Sequence, residues 1–580
     1  MFPDESPGGA APRWERNHPG RFRWELDALR KAGVVPVPDH EALAKGVLVL
    51  DITWPLGSKE VPLRAVYPDS FPHLRPTVRL LGDPTGFPAR HCSPDGELCL
   101  LGRDSAQWPA SMTLADLLGE QLAHAMNATG DEDPQGEPAE VWWNTLGIEG
   151  SYCLVDSAWT LGDCRSGMLK VRYKASDVDG QPVLNLAVVE ARDSQGHVLA
   201  TSASVLPRSL NQTAMVPWIR VAGSELPAGD INSVNVLFEG SEFLRKRRAV
   251  VGMGSYQIGL FCIIYDAELQ WRRQGIGWLF STVYTRASTR RGNASRSSGA
   301  TLAISRTFRA GPADLGARVP GVALLREKRV GIIGAGAVGG PVAVELARNG
   351  CKRLHVVEHD LVEPGTSIRW PLGVSAWGAR KPRAISGFVE DEYPWTEVVR
   401  HEHRIGSGDE DGTQGDEAVL SAVLGDVDLV IDGTASNGVT TLLAERCRGR
   451  GIPLIELHAT PTVQGGIVAR YAPAGGCPIC LQYAWHRCEI PKPPGFGDDA
   501  GLQQPPGCAE RTFTGASYDL LELSLQAVRL AVETLQRPDA ERHSVVNTLS
   551  LVDDFGRSVP PRWRVDPLPP HAECTCWRRR

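Results

Sequence analysis

The clearest chemical pattern in the chain is a glycine-rich turn between an apolar run and a helical segment. A strand-like run covers 330–333 and a helical pattern covers 342–349, and the glycines between them are Gly334, Gly336 and Gly339. A second strand-like run ends at Glu358, nineteen residues after the last of these glycines. Glycines in such a turn let the backbone approach phosphate, and the acid accepts a hydrogen bond from a ribose hydroxyl. The pattern predicts a nucleotide site, with a purely structural glycine turn as the alternative.

The residues that follow Glu358 narrow the choice of nucleotide. The run Glu358-His359-Asp360-Leu361-Val362-Glu363-Pro364-Gly365, followed by Arg369 and Lys381, resembles the ThiF and MoeB type of adenylating domain found in ubiquitin-activating enzymes and sulfur-carrier activators. The resemblance implies that Glu358 and Asp360 belong to the ATP site and that Arg369 and Lys381 meet the triphosphate. Such cations are needed because attack of a carboxylate on the α-phosphate increases the negative charge there. The alternative is that both are surface charges.

Two positions depart from the pattern of that family. Thr366 stands where the family has asparagine, and the aspartate on the magnesium side falls on Ala435 or Ser436. The resemblance therefore leaves Asp432 as the residue that would bind Mg²⁺.

Two pairs of cysteines near the C-terminus have spacings typical of metal ligands. They are Cys477 with Cys480, and Cys574 with Cys576. Adenylating domains of this type often join two such pairs on one zinc ion, which prefers four tetrahedral thiolates. The second pair is spaced C-x-C, so His571 or Cys488 remain alternatives for one ligand, and unrelated free thiols are the other interpretation.

Cys508 follows a Pro/Gly-rich stretch, 489–507, that predicts a long flexible loop, and it precedes a helical pattern over 518–535. A thiol near a helix N-terminus has a lowered pKa and is a better nucleophile. The resemblance implies that Cys508 attacks the acyl adenylate, since the family places its catalytic cysteine in this loop and a mobile loop can deliver it. A buried core thiol is the alternative.

The N-terminal part of the chain resembles a second family. Val66-Tyr67-Pro68, Phe71-Pro72, Gly96-Glu97-Leu98-Cys99-Leu100 and Trp108-Pro109 occur in the order and spacing of the ubiquitin-conjugating fold. The resemblance implies that Cys99 carries a thioester that a lysine amine attacks. The usual His-Pro-Asn is absent, and its asparagine position falls on His91, which inherits the oxyanion role. The alternative for Cys99 is an inert buried thiol.

The two resemblances together are similar to the fusion ligases of bacterial antiviral operons, including the CBASS systems. That similarity implies activation of a C-terminal glycine, on a ubiquitin-like modifier or on a cyclic-oligonucleotide synthase, and its transfer to an amine of a target protein. It also implies a homodimer, for which Arg306 and Arg309 are candidate residues contributed to the partner's site.

The patterns predict an α/β chain of three domains. These are a ubiquitin-conjugating-like α+β domain at 13–128, a β-rich middle domain at 139–300 of unknown role, and a Rossmann-like adenylating domain at 301–580. In the middle domain the short apolar runs, Ser233–Phe238 among them, predict strands.

Composition excludes other classes of protein. Net charge is -7, and no basic block stands out beyond Arg578 to Arg580, so we expect no nucleic-acid partner. No apolar run is long enough to span a membrane and no signal peptide is recognisable, which predicts a cytoplasmic protein. The rival interpretations are an NAD-dependent oxidoreductase with an appended domain, and a non-catalytic interaction protein.

Overall fold

The computed structural model describes most of the chain. The described residues are 14–82, 91–93, 95–100, 108–127, 143–144, 146–202, 206–222, 225–226, 230–253, 256–270, 273–286, 301–407, 415–504, 511–537 and 543–577. They form two compact units, of which the first comprises Met1–Ala203 and Leu210–Asp314 and the second comprises Ser204–Ser209 and Leu315–Arg580.

The N-terminal residues of the first unit form an α+β arrangement. Its strands are β1 (Val37–Pro38), β2 (Leu48–Leu56), β3 (Lys59–Tyr67) and β4 (Thr77–Leu80). Its helices are α1 (Trp14–Asn17), α2 (Pro19–Lys31), α3 (His40–Ala44) and α4 (Leu114–Asn127). The strands pair as a four-stranded antiparallel sheet in chain order, and every second side chain of β2 and β3 enters the core.

Two polar arrangements fix the helices of this region. Thr113 and Asp116 cap the start of α4 reciprocally: the Thr113 amide donates to Asp116 at 2.9 Å and the Asp116 amide to Thr113 Oγ1 at 3.2 Å. Glu25 of α2 is 1% exposed and accepts from the Leu114 amide at 2.7 Å and from Tyr67 Oη at 3.0 Å. Burial raises the pKa of Glu25. One carboxyl group thus joins α2, β3 and α4.

The rest of the first unit is a nine-stranded sheet. Its strands are β5 (Gly147–Val155), β6 (Ser166–Val178), β7 (Gln181–Asp193), β8 (Val198–Thr201), β9 (Gln212–Val221), β10 (Ala249–Met253), β11 (Tyr256–Gln270), β12 (Arg273–Arg286) and β13 (Thr301–Arg309). The order is β10-β11-β12-β13-β5-β7-β6-β9, and β9 also pairs with β11. Seven of the strands therefore close into a barrel, whose interior is filled by aromatic and aliphatic side chains, including Trp218, Trp278 and Phe280.

Part of the predicted strand pattern of this region is wrong. Residues 233–238 lie in helix α5 (Ile231–Gly240), which is followed by α6 (Glu242–Arg247). Asp230 caps α5 by accepting from the Asn232 amide at 3.0 Å. Val234 and Phe238 are buried four residues apart while Val236 is 69% exposed, so the apolar period is that of a helix rather than of a strand.

The boundary of the third domain also differs from the prediction. Residues 301–309 form β13, which pairs with β12 and β5, because their alternating apolar side chains complete the barrel. The second unit contains the chain from Leu315 instead. Arg306 and Arg309, the candidate partner arginines, lie on β13 and donate to carbonyl groups of the first unit, Arg306 Nε to Asn144 O at 3.0 Å and Arg309 to Ile276 O at 2.7 Å.

The second unit is an α/β domain built on an eight-stranded sheet. Its strands are β14 (Arg329–Ile333), β15 (Arg353–Val357), β16 (Glu397–His401), β17 (Leu429–Asp432), β18 (Leu454–Ala459), β19 (Gly465–Tyr471), β22 (Val545–Val552) and β23 (Ser558–Pro567), with a separate hairpin of β20 (Leu502–Gln503) and β21 (Thr512–Phe513). Helix α7 (Pro312–Gly316) ends where this unit begins, and the helices that follow are α8 (Gly339–Arg348), α9 (Lys381–Glu392), α10 (Asp416–Leu424), α11 (Asn437–Arg450), α12 (Pro478–His486) and α13 (Ser517–Gln536).

The order of strands in this sheet defines one functional edge. The sheet runs β16-β15-β14-β17-β18-β19-β22-β23, and the first five strands are parallel. After β14 the chain adds β15 and β16 on one side of it, and later adds β17 and β18 on its other side. The order of the strands therefore reverses at β14. Ligands of open parallel sheets bind outside the carboxyl ends of the strands at such a point. Helices α8, α9 and α13 cover one face and α10, α11 and α12 the other.

Within the described part of the chain, no helix is both long and apolar enough to cross a membrane.

The helical assignment of α5 predicts the effect of its cap. Asp230→Ala removes the side-chain acceptor, and we expect the free energy of unfolding to fall by about 1 kcal/mol. Asp230→Asn keeps an acceptor and should stay close to the wild type, as should the exposed Glu239→Ala on the same helix. Chemical denaturation of the three variants measures the difference. Equal stability of Asp230→Ala and Asp230→Asn would contradict the cap.

Candidate functional site

The glycine turn after β14 packs against the turn after β17 with no room for side chains. Gly334 has φ +83°, and a Cβ atom there would lie 2.8 Å from the Thr434 amide nitrogen. A Cβ atom at Gly339 would overlap the carbonyl oxygen of Gly334. Gly336 differs, because nothing lies within 4 Å of the position of its Cβ atom. Two of the three predicted glycines are thus required by packing, whereas Gly336 borders open space.

The backbone amides of this turn are available to a ligand. Among the described residues, no acceptor is found for the amides of Gly336, Ala337 and Val338. They directly precede helix α8, whose N-terminus carries partial positive charge. The arrangement is that of an anion-binding helix terminus.

Glu358 lies at the carboxyl end of β15, beside the same turn. Its Oε1 accepts from the amides of His359 and Asp360 at 2.7 and 3.1 Å, and its Oε2 accepts from the Ala335 amide at 3.1 Å. A carboxylate oxygen has about two lone pairs, so Oε2 can accept one further hydrogen bond. The carboxylate is therefore positioned to accept from a ribose hydroxyl.

Lys381 and Asp360 form an ion pair. Lys381 is the first residue of α9 and is 5% exposed, and its ammonium group donates to Asp360 Oδ2. The pair lowers the pKa of Asp360 against the opposing effect of its partial burial. The positive charge of Lys381 is thus already matched by a carboxylate.

Arg369 is a cation without such a partner. Its guanidinium donates to Phe513 O at 2.7 Å and to Thr512 Oγ1 at 2.9 Å, and it lies 4.6 Å from the centre of the Phe513 ring. These acceptors are neutral, and among the described residues no carboxylate lies within ion-pair distance of it. Burial lowers the pKa of Arg369 because it removes water from the charge. The next residue, Trp370, donates to Ala335 O at 2.8 Å and so holds Arg369 next to the glycine turn.

Asp432 and Thr366 have structural partners. Asp432 is fully buried and accepts from the Thr434 amide and hydroxyl at 2.9 and 2.7 Å and from Thr440 Oγ1 at 2.6 Å. Burial raises the pKa of Asp432 to about 6. The buried carboxylate thus fixes the turn after β17 through Thr434 and Thr440, and its role in cofactor binding stays a prediction. Thr366 Oγ1 accepts from the Glu363 amide at 3.0 Å and caps a short 3₁₀ turn.

The magnesium site that the resemblance implies stays a prediction. Ala435, one of the two residues at the family's aspartate position, has φ +55° and carries no side-chain oxygen or nitrogen.

The structure brings the four cysteines of the two C-terminal pairs together. Cys477 Sγ lies 3.7 Å from Cys480 Sγ and 3.6 Å from Cys574 Sγ, and Cys480 Sγ lies 3.6 Å from Cys576 Sγ. Four sulfurs bonded to one zinc ion at about 2.3 Å in a tetrahedron lie about 3.8 Å apart. The C-x-C spacing of the second pair does not prevent this, because Thr575–Trp577 form a 3₁₀ turn.

The alternative ligands lie outside this cluster. Cys488 is exposed, and the ring of His571 stacks on Tyr483 with 4.4 Å between the ring centres. The His571 amide instead donates to Cys480 Sγ at 3.2 Å, which favours the thiolate form of that sulfur. The geometry of the four sulfurs fits a structural zinc site.

Cys508 lies outside the described residues. The described residues on either side of it belong to the β20-β21 hairpin, in which Leu502 pairs with Phe513 and Gln503 with Thr512. The same two residues of β21 are the ones that Arg369 contacts. Arg369 is therefore bonded to the strand that follows Cys508 in the sequence.

In the first unit, Cys99 and His91 are neighbours. The Cys99 amide donates to His91 O at 2.8 Å, and His91 Nδ1 lies 3.3 Å from Cys99 O. His91 is buried, whereas Cys99 is partly exposed. The nearby Cys92 is buried, and burial raises the pKa of its thiol to about 11. Of the two thiols, Cys99 is the one that solvent reaches.

Sequence reasoning missed several residues of this site. Trp370 was not selected, although an aromatic residue directly after a candidate ligand indicates an anchor. A polar group on β18 and β19 was also missed: Glu456, His458 and Tyr471. Its signal was the alternation of polar residues in the otherwise apolar run Pro453-Leu454-Ile455-Glu456-Leu457-His458.

Comparison with known protein families and sequences agrees with this geometry. Residues 315–519 match the ThiF family. The chain is 43% identical to the uncharacterized protein y4qC of Sinorhizobium fredii over 95% of this chain and 96% of that protein. It is 29% identical to y4oA of the same organism over 98% of both chains. It is also 29% identical to the SAMP-activating enzyme E1 of Haloferax volcanii over 27% of this chain and 54% of that protein.

Solved structures of E. coli MccB and of PaaA are also similar. The crystal structure of MccB with ATP has 14% sequence identity and a TM-score of 0.32, and covers 46% of this chain and 71% of that one. The structure of PaaA has 19% identity and a TM-score of 0.30, and covers 43% and 66%.

The second unit therefore contains an adenylating domain of the ThiF type. The whole chain belongs to the same family as y4qC of Sinorhizobium fredii.

The packing of the glycine turn predicts different outcomes for two neighbouring glycines. Gly339→Ala forces a methyl group onto a carbonyl oxygen, and we expect the free energy of unfolding of the second unit to fall by about 1–3 kcal/mol. Gly336→Ala has open space and should leave stability close to that of the wild type. Differential scanning calorimetry of the full chain measures both. Equal destabilisation by the two substitutions would contradict the described turn.

Proposed function

We propose that this protein uses ATP to activate the C-terminal carboxylate of another protein as an acyl adenylate, and that it then transfers the acyl group through Cys508 and Cys99 to an amine. The ThiF match supports the adenylating step, as does the relative from Haloferax volcanii, whose name describes an activating enzyme.

The observation that carries the proposal is the pairing of Arg369 with the glycine turn. The half-buried guanidinium of Arg369 has no carboxylate partner among the described residues, and its hydrogen bonds go to neutral oxygens. The next residue, Trp370, is bonded to the glycine turn, in which three amides have no acceptor among the described residues. Keeping an unmatched charge partly out of water is costly, so its persistence indicates an anionic ligand. A triphosphate satisfies both sets of donors, and Glu358 Oε2 is placed for the ribose.

The side chains support the chemistry as follows. A carboxylate oxygen of the substrate attacks the α-phosphorus, and the bond to pyrophosphate breaks. Arg369 and the turn amides offset the negative charge that this step builds on the phosphate oxygens. Lys381, held in place by Asp360, is the second cation that the resemblance assigns to the triphosphate.

The thioester steps are proposed from the sequence resemblance and from the state of the cysteines. Cys508 falls within the residues that match the ThiF family, so it is the thiol assigned to attack the acyl adenylate. Cys99 then receives the acyl group by exchange of one thioester for another, which costs little because the bond type is unchanged. His91, adjacent to Cys99, is the candidate for stabilising the oxyanion when the amine attacks.

Zinc is proposed for the four-cysteine cluster, where it would supply a covalent connection between α12 and the C-terminal segment. The bonds would tie together two segments that are far apart in sequence. The role is structural, because four sulfur ligands leave no open position for catalysis.

The partners follow from the same proposal. The first is a protein with an activated C-terminal glycine, either a ubiquitin-like modifier or a cyclic-oligonucleotide synthase. The second is a target protein with an acceptor amine, and the third is a second copy of this chain. The antiviral setting rests on the resemblance to fusion ligases alone.

The proposed role of Arg369 predicts its effect on ATP affinity. Arg369→Ala removes charge-assisted hydrogen bonds worth about 1.5–3 kcal/mol, so ATP should bind about 10- to 100-fold more weakly. The control is Arg383→Ala, whose side chain is 68% exposed on α9. Isothermal titration calorimetry of the full chain with ATP measures the change. Tight binding of NADH, with no binding of ATP, would contradict the adenylation proposal.

Gly336→Ala, which tests the approach of phosphate to the turn, should weaken ATP binding without loss of stability.

Adenylation itself is tested by exchange of labelled pyrophosphate into ATP. Proteins encoded beside the gene serve as carboxylate donors, each with a control that lacks its last residue. We expect exchange with one intact donor and none with its truncated form or with Arg369→Ala.

The cysteine cluster predicts about one zinc ion per chain in protein purified without added metal. Cys574→Ser should reduce the zinc content severalfold and lower the unfolding temperature, because zinc binding contributes folding free energy. Cys488→Ser, which alters an exposed cysteine outside the cluster, is the matched control. Elemental analysis with calorimetry measures both quantities, and a stably folded wild-type chain without zinc would refute the site.

A further inference from the structure

A chain of three polar side chains lies on β18 and β19, within the sheet of the second unit. Glu456 is 5% exposed and uses both of its carboxylate oxygens. Oε2 accepts from Tyr471 Oη at 2.6 Å, and Oε1 lies 3.1 Å from His458 Nδ1. Tyr471 is buried, and the side chain of His458 is 16% exposed. The order from the interior to the surface is therefore Tyr471, Glu456, His458.

Stability does not account for this group. Glu456 pairs in register with Asp432 on β17, so two buried carboxyl groups lie side by side on one face of the sheet. The neighbours of Glu456 in β18, Ile455 and Leu457, are apolar, as is usual in a strand covered on both faces. Buried carboxyl groups cost free energy that apolar side chains of similar size would not, and such groups cluster at functional sites.

The group lies at the functional edge of the sheet. Strand β18 is parallel to β17, and His458 lies two residues beyond the level of Asp432, towards the carboxyl ends. The glycine turn after β14 and the Thr434 turn after β17 lie at this same edge. Among the described residues, His458 Nε2 has no hydrogen-bond partner. A carboxylate on Nδ1 fixes the tautomer in which Nε2 can accept a proton.

We propose that His458 is a general base that accepts the proton of the nucleophile attacking the acyl adenylate, with Glu456 and Tyr471 as positioning residues. The inference rests on the proposed function and adds a residue to it. Adenylation needs no base, because the attacking carboxylate is already ionised at neutral pH. A thiol must lose its proton, since the thiolate is the reactive form.

The step balances as follows. The sulfur of the thiol bonds to the acyl carbon while its proton moves to His458 Nε2. The carbon–oxygen bond to the adenylate breaks, and its electron pair leaves with the phosphate oxygen of AMP. The imidazolium formed at His458 is stabilised by the Glu456 carboxylate, and it later returns its proton to water.

The location of His458 is tested first, without a protein substrate. Diethyl pyrocarbonate modifies accessible neutral imidazoles. Mass spectrometry of the modified full chain measures the extent of modification of each histidine separately. An ATP analogue with an α,β-methylene bridge, whose binding is first established by calorimetry, should slow modification of His458 severalfold. The exposed His486 on α12 should be unaffected. If the analogue binds and His458 reacts at an unchanged rate, the placement is wrong; if the analogue does not bind, the nucleotide proposal fails instead.

The proton transfer is tested with His458→Gln and with His486→Gln as its control. His458→Gln should keep the rate of pyrophosphate exchange within about twofold of the wild-type rate. The rate at which 2-mercaptoethanol attacks the acyl adenylate and releases AMP should fall about 10²- to 10⁴-fold. An aromatic thiol such as thiophenol, which is largely ionised at neutral pH, should restore most of that rate because it needs no base. A purely structural role would impair both thiols equally.

The outcomes separate the two proposals. A wild-type chain that supports no pyrophosphate exchange with any donor contradicts the proposed function. Exchange by the wild type, with equal transfer to 2-mercaptoethanol by the wild type and His458→Gln, contradicts the role of His458. Glu456→Gln should also slow transfer to 2-mercaptoethanol more than transfer to thiophenol, but by a smaller factor than His458→Gln. The substitution leaves His458 in place and only loosens the orientation of its ring.

Discussion

The architecture of the site depends on the close contact between two backbone turns. The turn after β14 and the turn after β17 approach so closely that a Cβ atom at Gly433 would lie 2.9 Å from Gly334 O. This contact keeps side chains out of the space at the switch point and leaves backbone amides as the donors there. It also requires a stiff support for the second turn, which the buried Asp432 provides through Thr434 and Thr440. Asp432 thus fixes the backbone of the turn that contacts the glycine turn.

The charges around this contact divide into matched and unmatched groups. Lys381 is paired with Asp360, and each carboxylate oxygen of Glu358 accepts from at least one backbone amide, so both side chains are fixed in place. Arg369 is not matched by a carboxylate, and its two hydrogen bonds go to the hairpin that flanks Cys508. A phosphate that attracted this guanidinium would compete with Thr512 and Phe513 for its donors. The proposed role of Arg369 therefore implies that nucleotide binding and the position of the hairpin are coupled through one side chain.

Sequence reasoning was most successful where local pattern and tertiary structure agree. The glycine turn of the second unit and the two strands on either side of its helix, β14 and β15, have strong periodicity and steric requirements, and they were predicted within a few residues. Ser233–Phe238 was predicted wrongly because a short apolar run has no unambiguous period, and the deciding feature, the cap at Asp230, lies outside it. Thr301–Arg309 was assigned to the wrong domain because membership of a barrel is decided by pairing with β5, which lies far earlier in the chain: Arg309, for example, pairs with Val155.

The candidate site shows the same limit in chemical terms. A motif predicts which residue types are present, but the role of each depends on whether its charge or lone pairs are already used. Asp432 and Arg369 are both charged residues of the motif region. The carboxylate oxygens of Asp432 already accept hydrogen bonds from Thr434 and Thr440, whereas the guanidinium of Arg369 donates only to neutral acceptors. Conversely, Glu456 and His458 belong to no motif, and their pairing becomes visible only when β18 is placed beside β17. The groups to which we assign chemistry in this domain are those that the fold leaves incompletely satisfied at the carboxyl edge of the sheet.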